Sequence, residues 1–316
     1  MKKTAVCTLF EGDYHHGVAA LINSLYANGF NGCFYAGYKG KLPSWATKRF
    51  GSIKENGYKN HSFQLDNGMD VCFIELKPDM HFTNFKPYFL QQVWNEENTD
   101  IKRIFYFDPD IVIRCNWSFF ENWVGFGVAL VHEITSNDMP STSPIRKMWE
   151  RIILSEGDKV HNRINSYINA GFFGLSKENI SFLENYIKYV NVGIQHFKMN
   201  EHVLGFSHRS EPFFARDQDA LNIAATCSDV PLSELGPEGM DFIHGGFLMS
   251  HATFSPKPWN RSYLKWFLMG FPPTLADKSF WNNFGGSITV FGKKTIFFKR
   301  MVLKILSFLS RFYSRK

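Results

Sequence analysis

Two regimes of hydrophobic and polar positions alternate along this chain. Short continuous apolar runs are separated by longer segments whose apolar residues recur every three or four positions. Thr4 to Phe10 (TAVCTLF) is such a run and predicts a first strand. After EGDYHHG comes VAALINSLYANG, apolar at helical spacing, with Asn28-Gly29 as a stop signal and His15-His16 as polar residues at the helix start. Cys33 to Ala36 and Val71 to Leu76 predict further strands, and Asn84 to Trp94 (NFKPYFLQQVW) a helix with Pro87 in its first turn. Strands follow at IFYF (104–107) and IVI (111–113), at Phe126 to His132, and at Ser166 to Leu175, which leads into a helix over KENISFLENYIKYVN. Arg216 to Ala225 (RDQDALNIAA) predicts a helix with acids in its first turn. Strands alternating with helices predict an α/β fold with a mainly parallel central sheet. The composition breaks only near Pro272-Pro273, which predicts a main domain over 1–270 and an extension over 271–316.

Composition narrows the class. The 316 residues are 44% hydrophobic and 20% charged, enough apolar material for a real core. The five cysteines are scattered without a CxxC pair, which argues against a disulfide framework or a zinc site and for reduced thiols. The N-terminal apolar run is too short for a signal peptide, and no uncharged run reaches the ~18 residues of a membrane span. A cytoplasmic protein is expected. The net charge of +6 belongs to the tail: Lys293 to Lys316 holds eight Lys or Arg and no acid, leaving 27 basic against 29 acidic residues elsewhere. That balance gives nucleic-acid binding by the body no support.

One segment carries candidate chemistry. Between the strands IFYF and IVI stand Asp108-Pro109-Asp110. Strands of such sheets deliver the residues at their carboxyl ends to the ligand crevice. Two adjacent carboxylates repel unless a cation lies between them, and Mg²⁺ or Mn²⁺ takes oxygen ligands shared with substrate phosphates. The alternative is a tight turn in which an Asp caps nearby amides.

Asp108-Pro109-Asp110, then Asn169-Ala170-Gly171, then Asp217-Gln218-Asp219-Ala220-Leu221-Asn222, then His251 with Lys257-Pro258-Trp259 form an ordered set. This set resembles glycosyltransferases of the GT-A fold, most closely the family 8-like retaining enzymes, over roughly residues 4 to 265. The resemblance implies a GT-A (Rossmann-like) α/β fold and Mn²⁺ or Mg²⁺ held by Asp108, Asp110 and His251, with His244 and His132 as competing ligands. It implies a UDP-sugar donor whose base and ribose meet Thr8, Phe10 and Asp13 at the end of the first strand, with Phe10 or Tyr14 stacking on the uracil. Lys86 and Lys257 would approach the donor diphosphate. Asn169, Asp217 and Gln218 would sit beside the sugar, Gln218 nearest the anomeric carbon. Where the family usually carries a Gly between the His and the Lys, this chain departs from the pattern with Phe254.

The tail from Thr295 adds a partner. Arg300, Lys304, Ser307, Arg311 and Arg315 fall on one side of a helical wheel, and Phe298, Met301, Val302, Ile305, Phe308, Leu309 and Phe312 on the other. An all-basic polar face suits a helix lying on an anionic membrane; the alternative is a helix docked on the protein itself. Together these readings predict a metal-dependent hexosyltransferase, moving Gal or Glc from a UDP-sugar to a carbohydrate or lipid-linked glycan acceptor. It would act at the inner face of the cell membrane, in surface polysaccharide or lipopolysaccharide synthesis, with retention. The rivals are an inverting GT-A transferase using Asp219, Glu211 or Asp241 as base, a non-catalytic sugar-binding module of the same fold, and a nucleotidyltransferase.

Overall fold

Apolar runs buried on both faces need helices on both sides of the sheet, and the computed structural model shows this arrangement. It describes residues 2–49, 61–97, 100–134, 139–202 and 207–312. The strands are β1 (Thr4–Glu11), β2 (Cys33–Lys39), β3 (Ser62–Gln64), β4 (Asp70–Glu75), β5 (Arg103–Phe107), β6 (Ile111–Ile113), β7 (Val128–His132), β8 (Ile168–Ser176), β9 (Leu232–Leu235) and β10 (Met249–His251). The helices are α1 (His15–Ala27), α2 (Ser44–Thr47), α3 (Phe82–Gln92), α4 (Trp117–Trp123), α5 (Pro144–Ser155), α6 (Ser181–Phe197), α7 (Asp217–Cys227), α8 (Tyr263–Leu268), α9 (Leu275–Asn283) and α10 (Lys293–Leu309).

Eight strands form one sheet in the order β3-β4-β2-β1-β5-β8-β7-β9, and β6 pairs with β10 in a small antiparallel sheet. Four of the seven neighbour pairs in the large sheet are parallel; β3–β4, β5–β8 and β7–β8 are antiparallel. The sheet is thus α/β and mixed, with β8 reversed at its centre. Strand order turns back between β1 and β5, so a crevice opens at their carboxyl ends.

Side chains alternate between two cores with the period of a strand. Ala5, Cys7 and Leu9 of β1 join Ile104 and Tyr106 of β5 beneath α3, α6 and α7. Val6, Phe10, Phe105 and Phe107 point the other way, into a core with α1 and α4. A third cluster gathers Trp259, Tyr263, Phe280, Trp281, Phe284, Ile296, Leu303 and Leu306 around Ala20 of α1 and Val112 of β6. The expected boundary at residue 270 falls within this third cluster.

Two expectations about elements change. Pro87 lies inside α3, which begins at Phe82, rather than in its first turn. A proline there lacks the N–H that would bond the carbonyl four residues back, and α3 passes into a π-helical turn over Val93–Glu97. The tail helix is three-sided. Ile296, Leu303 and Leu306 are buried against the protein, and Arg300 Nε donates to Trp281 O at 2.8 Å. Phe297, Phe298, Met301, Ile305, Phe308 and Phe312 are exposed. Arg315 lies outside the described residues. The five cysteines are free, four of them buried.

Candidate active site

Four chain segments meet where β5 ends. The Asp108 amide donates to Gly171 O (2.7 Å), which ties the Asp-Pro-Asp turn to β8, and Ala252 N donates to Asp110 O (2.9 Å), which ties it to the end of β10. The β6–β10 register sets His251 opposite Ile111, beside Asp110. Asp217 and Gln218 open α7 on the far side; Gln218 Oε1 accepts from the Ala170 amide at 3.1 Å. Two glycines permit the approach. A Cβ at Gly17 would fall 2.0 Å from Pro109 O, so only glycine lets α1 lie against the turn. A Cβ at Gly171 would sit 2.6 Å from His251 Cε1 and 3.1 Å from Asp108 Oδ2.

The charges are buried and networked. Lys86, only 3% exposed, reaches Asp108 Oδ1 (3.2 Å), Asp217 Oδ2 (3.0 Å) and the carbonyl of Ala170 (3.0 Å). Burial alone would depress the Lys86 ammonium, but Asp108 and Asp217 more than offset it and hold its pKa above the ordinary lysine value. Burial, with the Asp108 charge, pushes Asp217 up against the pull of Lys86. Asp110 faces His251 Nε2 (3.2 Å) with one oxygen and Lys257 Nζ (2.5 Å) with the other. Burial opposes its ionisation, yet His251 and Lys257 keep it below the usual carboxylate range. Tyr106 Oη donates to Asp108 Oδ1 at 3.0 Å.

Asp108, Asp110 and His251 each offer a donor atom within 4.8 Å of the others, the one such group of three His, Cys, Asp or Glu among the described residues. Two carboxylates and an imidazole suit Mn²⁺, and Mg²⁺ on the oxygens. His251 Nδ1 is buried with no hydrogen-bond partner among the described residues, and at Gly171 a side chain would crowd this space. The donor set therefore fits a divalent cation.

Two compartments flank these residues and share Thr83, Lys86, Asp108, Asp110 and Lys257 as walls. One, of about 290 Å³, is lined by Phe10, Tyr14, His81 and Tyr106; the other, of about 330 Å³, by Glu133, Asn169, Arg216, Asp217 and Gln218. Lys86, Asp108, Asp110, Asn169, Asp217, Gln218, His251 and Lys257 are thus brought together. Asn169 Nδ2 donates to Glu133 Oε2 (2.5 Å), and its Oδ1 accepts from the Gly171 amide (2.8 Å).

Other expected residues fall elsewhere. Thr8 is fully buried within the sheet, its hydroxyl unpartnered among the described residues, and lines neither compartment. Phe10 is 3% exposed and packs on Tyr38 and Phe73, so it supplies wall rather than a free stacking face; Tyr14 is the available ring. Asp13 lines neither compartment. Its Oδ2 accepts from Trp259 Nε1 (3.1 Å) and from Asn260 Nδ2, clasping the last segment of the site to the first. His244 is exposed, and His132 ends β7 against Glu234 at 2.8 Å, so neither joins the donor set. Phe254 is exposed, and its carbonyl accepts from Arg261 at 3.2 Å. Among the acids named for an inverting base, Asp219 is buried between Tyr167 Oη and the Ala215 amide (both 2.6 Å), Asp241 holds Arg114, and Glu211 lies outside both compartments.

Glu133, Arg216, His81 and Tyr106 were not singled out from the sequence. Tyr106 carries a signal in hindsight, two residues before Asp108 on an alternating strand. Arg216 adopts φ 43° and ψ −105°, a conformation L-residues seldom take, at the turn that aims Asp217 and Gln218.

No protein-family model matches the sequence, and no curated protein does. Solved structures do. The chain is similar to the bifunctional glycosyltransferase WbbM (14% identity, 95% of this chain, 52% of that one, TM-score 0.54). It is similar to the glycosyltransferase GlyE of Streptococcus pneumoniae TIGR4 (15%, 96% and 64%, TM-score 0.52). It is also similar to the galactosyltransferase LgtC solved with donor and acceptor sugar analogues (14%, 92% and 98%, TM-score 0.51). The chain thus spans about half the length of WbbM and under two thirds of GlyE, but nearly all of LgtC. At these identities the likeness establishes the fold: this chain has the GT-A architecture of those glycosyltransferases.

Proposed function

We propose that this protein is a metal-dependent glycosyltransferase that moves a hexosyl group, Gal or Glc, from a UDP-sugar to a carbohydrate or lipid-linked glycan acceptor. One observation carries the reading: a divalent-cation donor set and two lysines stand on the wall between two compartments of one crevice. Asp108, Asp110 and His251 would hold Mn²⁺ or Mg²⁺, which when bound supplies positive charge to the donor diphosphate. The nucleoside occupies the compartment with Tyr14, and the hexose the one with Asn169, Asp217 and Gln218. Lys257 sits on the shared wall, where its ammonium can follow the charge that grows on the departing diphosphate. Lys86 orients Asp217, whose carboxylate accepts hydrogen bonds from sugar hydroxyls. The acceptor hydroxyl attacks the anomeric carbon from the face the diphosphate leaves, and its proton passes to the departing phosphate oxygen, giving retention. A second reading, inversion, is favoured by Glu133, a carboxylate on the wall of the sugar compartment; the anomeric configuration of the product separates the two.

The exposed apolar side of α10 and the basic residues beside it support docking on an anionic membrane, where lipid-linked glycans of surface polysaccharide are built. No helix among the described residues is long and apolar enough to cross a membrane.

Hydrolysis of a panel of nucleotide sugars, with Mn²⁺, with Mg²⁺ and with chelator, tests the reading. The expected result is slow metal-dependent release of nucleoside diphosphate from one UDP-hexose, lost in Asp108→Ala/Asp110→Ala protein. Absence of both turnover and metal-dependent UDP binding would sink the proposal, while binding without turnover even when acceptors are supplied would identify a sugar-binding module.

A further inference from the structure

A cavity of about 450 Å³ lies between α9 and the last turns of α10, lined by Lys278, Lys304, Ser307, Phe308, Ser310 and Arg311. Three cations and two hydroxyls converge there, and among the described residues no carboxylate does. The last acid in the sequence is Asp277, which is buried and engaged by Arg261 through bonds of 2.7 and 2.8 Å. Among the described residues the Lys278, Lys304 and Arg311 side chains form no ion pair and no hydrogen bond. Ser307 Oγ is buried with no hydrogen-bond partner among the described residues. Like charges gathered at short range repel, so this surface is set up for an anion with several acceptor oxygens.

The position of the cavity selects the anion. At 100° per residue, Lys304 marks one line along α10, and Arg311 follows in the turn just past the end of the helix at Leu309. That line borders the docked side of Leu303 and Leu306 and the exposed apolar side of Met301, Ile305, Phe308 and Phe312. Phe308 belongs to both the cavity and the apolar side. A group held by the cations would lie level with the polar surface of a bilayer whose acyl chains receive the phenylalanines. We propose that Lys278, Lys304 and Arg311 form a site for the phosphate of an anionic phospholipid headgroup. It fixes the rotation of α10, and hence the attitude of the crevice, on the membrane. The proposal rests on the membrane-docking reading above and adds a defined site to it.

Sedimentation of the full chain with phosphatidylcholine vesicles, and with the same vesicles containing phosphatidylglycerol, tests it. Lys278→Gln/Lys304→Gln is compared with the charge-matched Lys293→Gln/Lys294→Gln. Lys293 and Lys294 stand on the same helix but do not line the cavity. Two cations lost from a helix lying on an anionic surface cost about 25-fold in binding wherever they stand on it, fivefold per cation; the control is expected to weaken by no more than that, and the cavity variant by more. Wild-type protein that ignores anionic vesicles would overturn the membrane reading and the lipid assignment together. Wild-type protein that binds, with both variants weakened equally, would overturn the site alone and leave diffuse charge. Inorganic phosphate that shields Lys278 and Lys304 from acetylation as well as vesicles do would reassign the site to a soluble anion.

Discussion

Asp219 shows how a residue outside the crevice can govern it. Its carboxyl bridges Tyr167 Oη on one side and the Ala215 amide on the other, spanning the turn in which Arg216 takes its strained conformation. Burial is the main cause of its raised pKa, pushed from 3.8 to about 7, and it outweighs the two hydrogen bonds. An acid raised on folding contributes stability that is complete below its unfolded pKa and is lost as pH rises through the folded value. Stability is therefore expected to fall between about pH 4 and pH 7, by up to on the order of 4 kcal/mol from this group. Asp219→Asn, which cannot ionise, should flatten that part of the profile in urea unfolding; an unchanged slope would exclude Asp219 as its source. The gathering of Asp108, Asp110, His251, Lys86, Lys257, Asp217 and Gln218 at one crevice was legible in the sequence because each stands in a short motif. Glu133 and Arg216 were not, because an acid after a strand or a basic residue before a helix looks the same whether it faces solvent or a crevice. The contact of Asp13 with Trp259 and Asn260 was not legible for a related reason: those partners lie far along the chain, and no local pattern announces them.

Among elements, α1 holds the molecule together at a distance. Asn23, 3% exposed, donates to Asn283 O and Ile288 O (both 2.7 Å) and accepts from Ile288 N (2.8 Å). It thereby satisfies buried backbone of the segment that joins α9 to α10. Asn23→Ala would strand those groups, costing on the order of 3 kcal/mol. Urea midpoints should fall accordingly, with proteolysis appearing first after Asn283; an unchanged midpoint would mean that water replaces the side chain. Seven of the ten strands among the described residues were predicted, because runs such as Thr4 to Phe10 and IFYF are buried on both faces, while the short β3, β9 and β10 were not. Strand direction was less legible: β8 (INAGFFGLS) is as apolar as a parallel strand, and its reversal depends on how α5 and the chain before it return to the sheet. The docked side of α10 was also hidden. Ile296, Leu303 and Leu306 are no more apolar than Phe298 or Ile305, and only the cluster around Trp281 tells them apart.

For the whole molecule, ligand and fold should be linked. The donor set draws on the end of β5 and the end of β10, so a ligand held there stabilises only the fully folded chain. Mn²⁺ with UDP at about a hundred times its Kd should add about 2.7 kcal/mol to unfolding stability, seen as a raised Tm. Asp108→Ala/Asp110→Ala protein should show no rise, and a rise in both would place the ligand elsewhere.

The clasp between Asp13 and the Trp259–Asn260 segment has a consequence for the making of the protein. The crevice wall includes Phe10 and is closed by Lys257, almost 250 positions later. A ribosome must release Lys257 from its tunnel before both compartments share that lysine as a wall. Until then the nascent chain carries the Asp-Pro-Asp turn without the histidine opposite it, so the proposed cation site is incomplete in a half-synthesised polypeptide. The crevice is completed only as residue 257 emerges, and α8, α9 and α10 follow it.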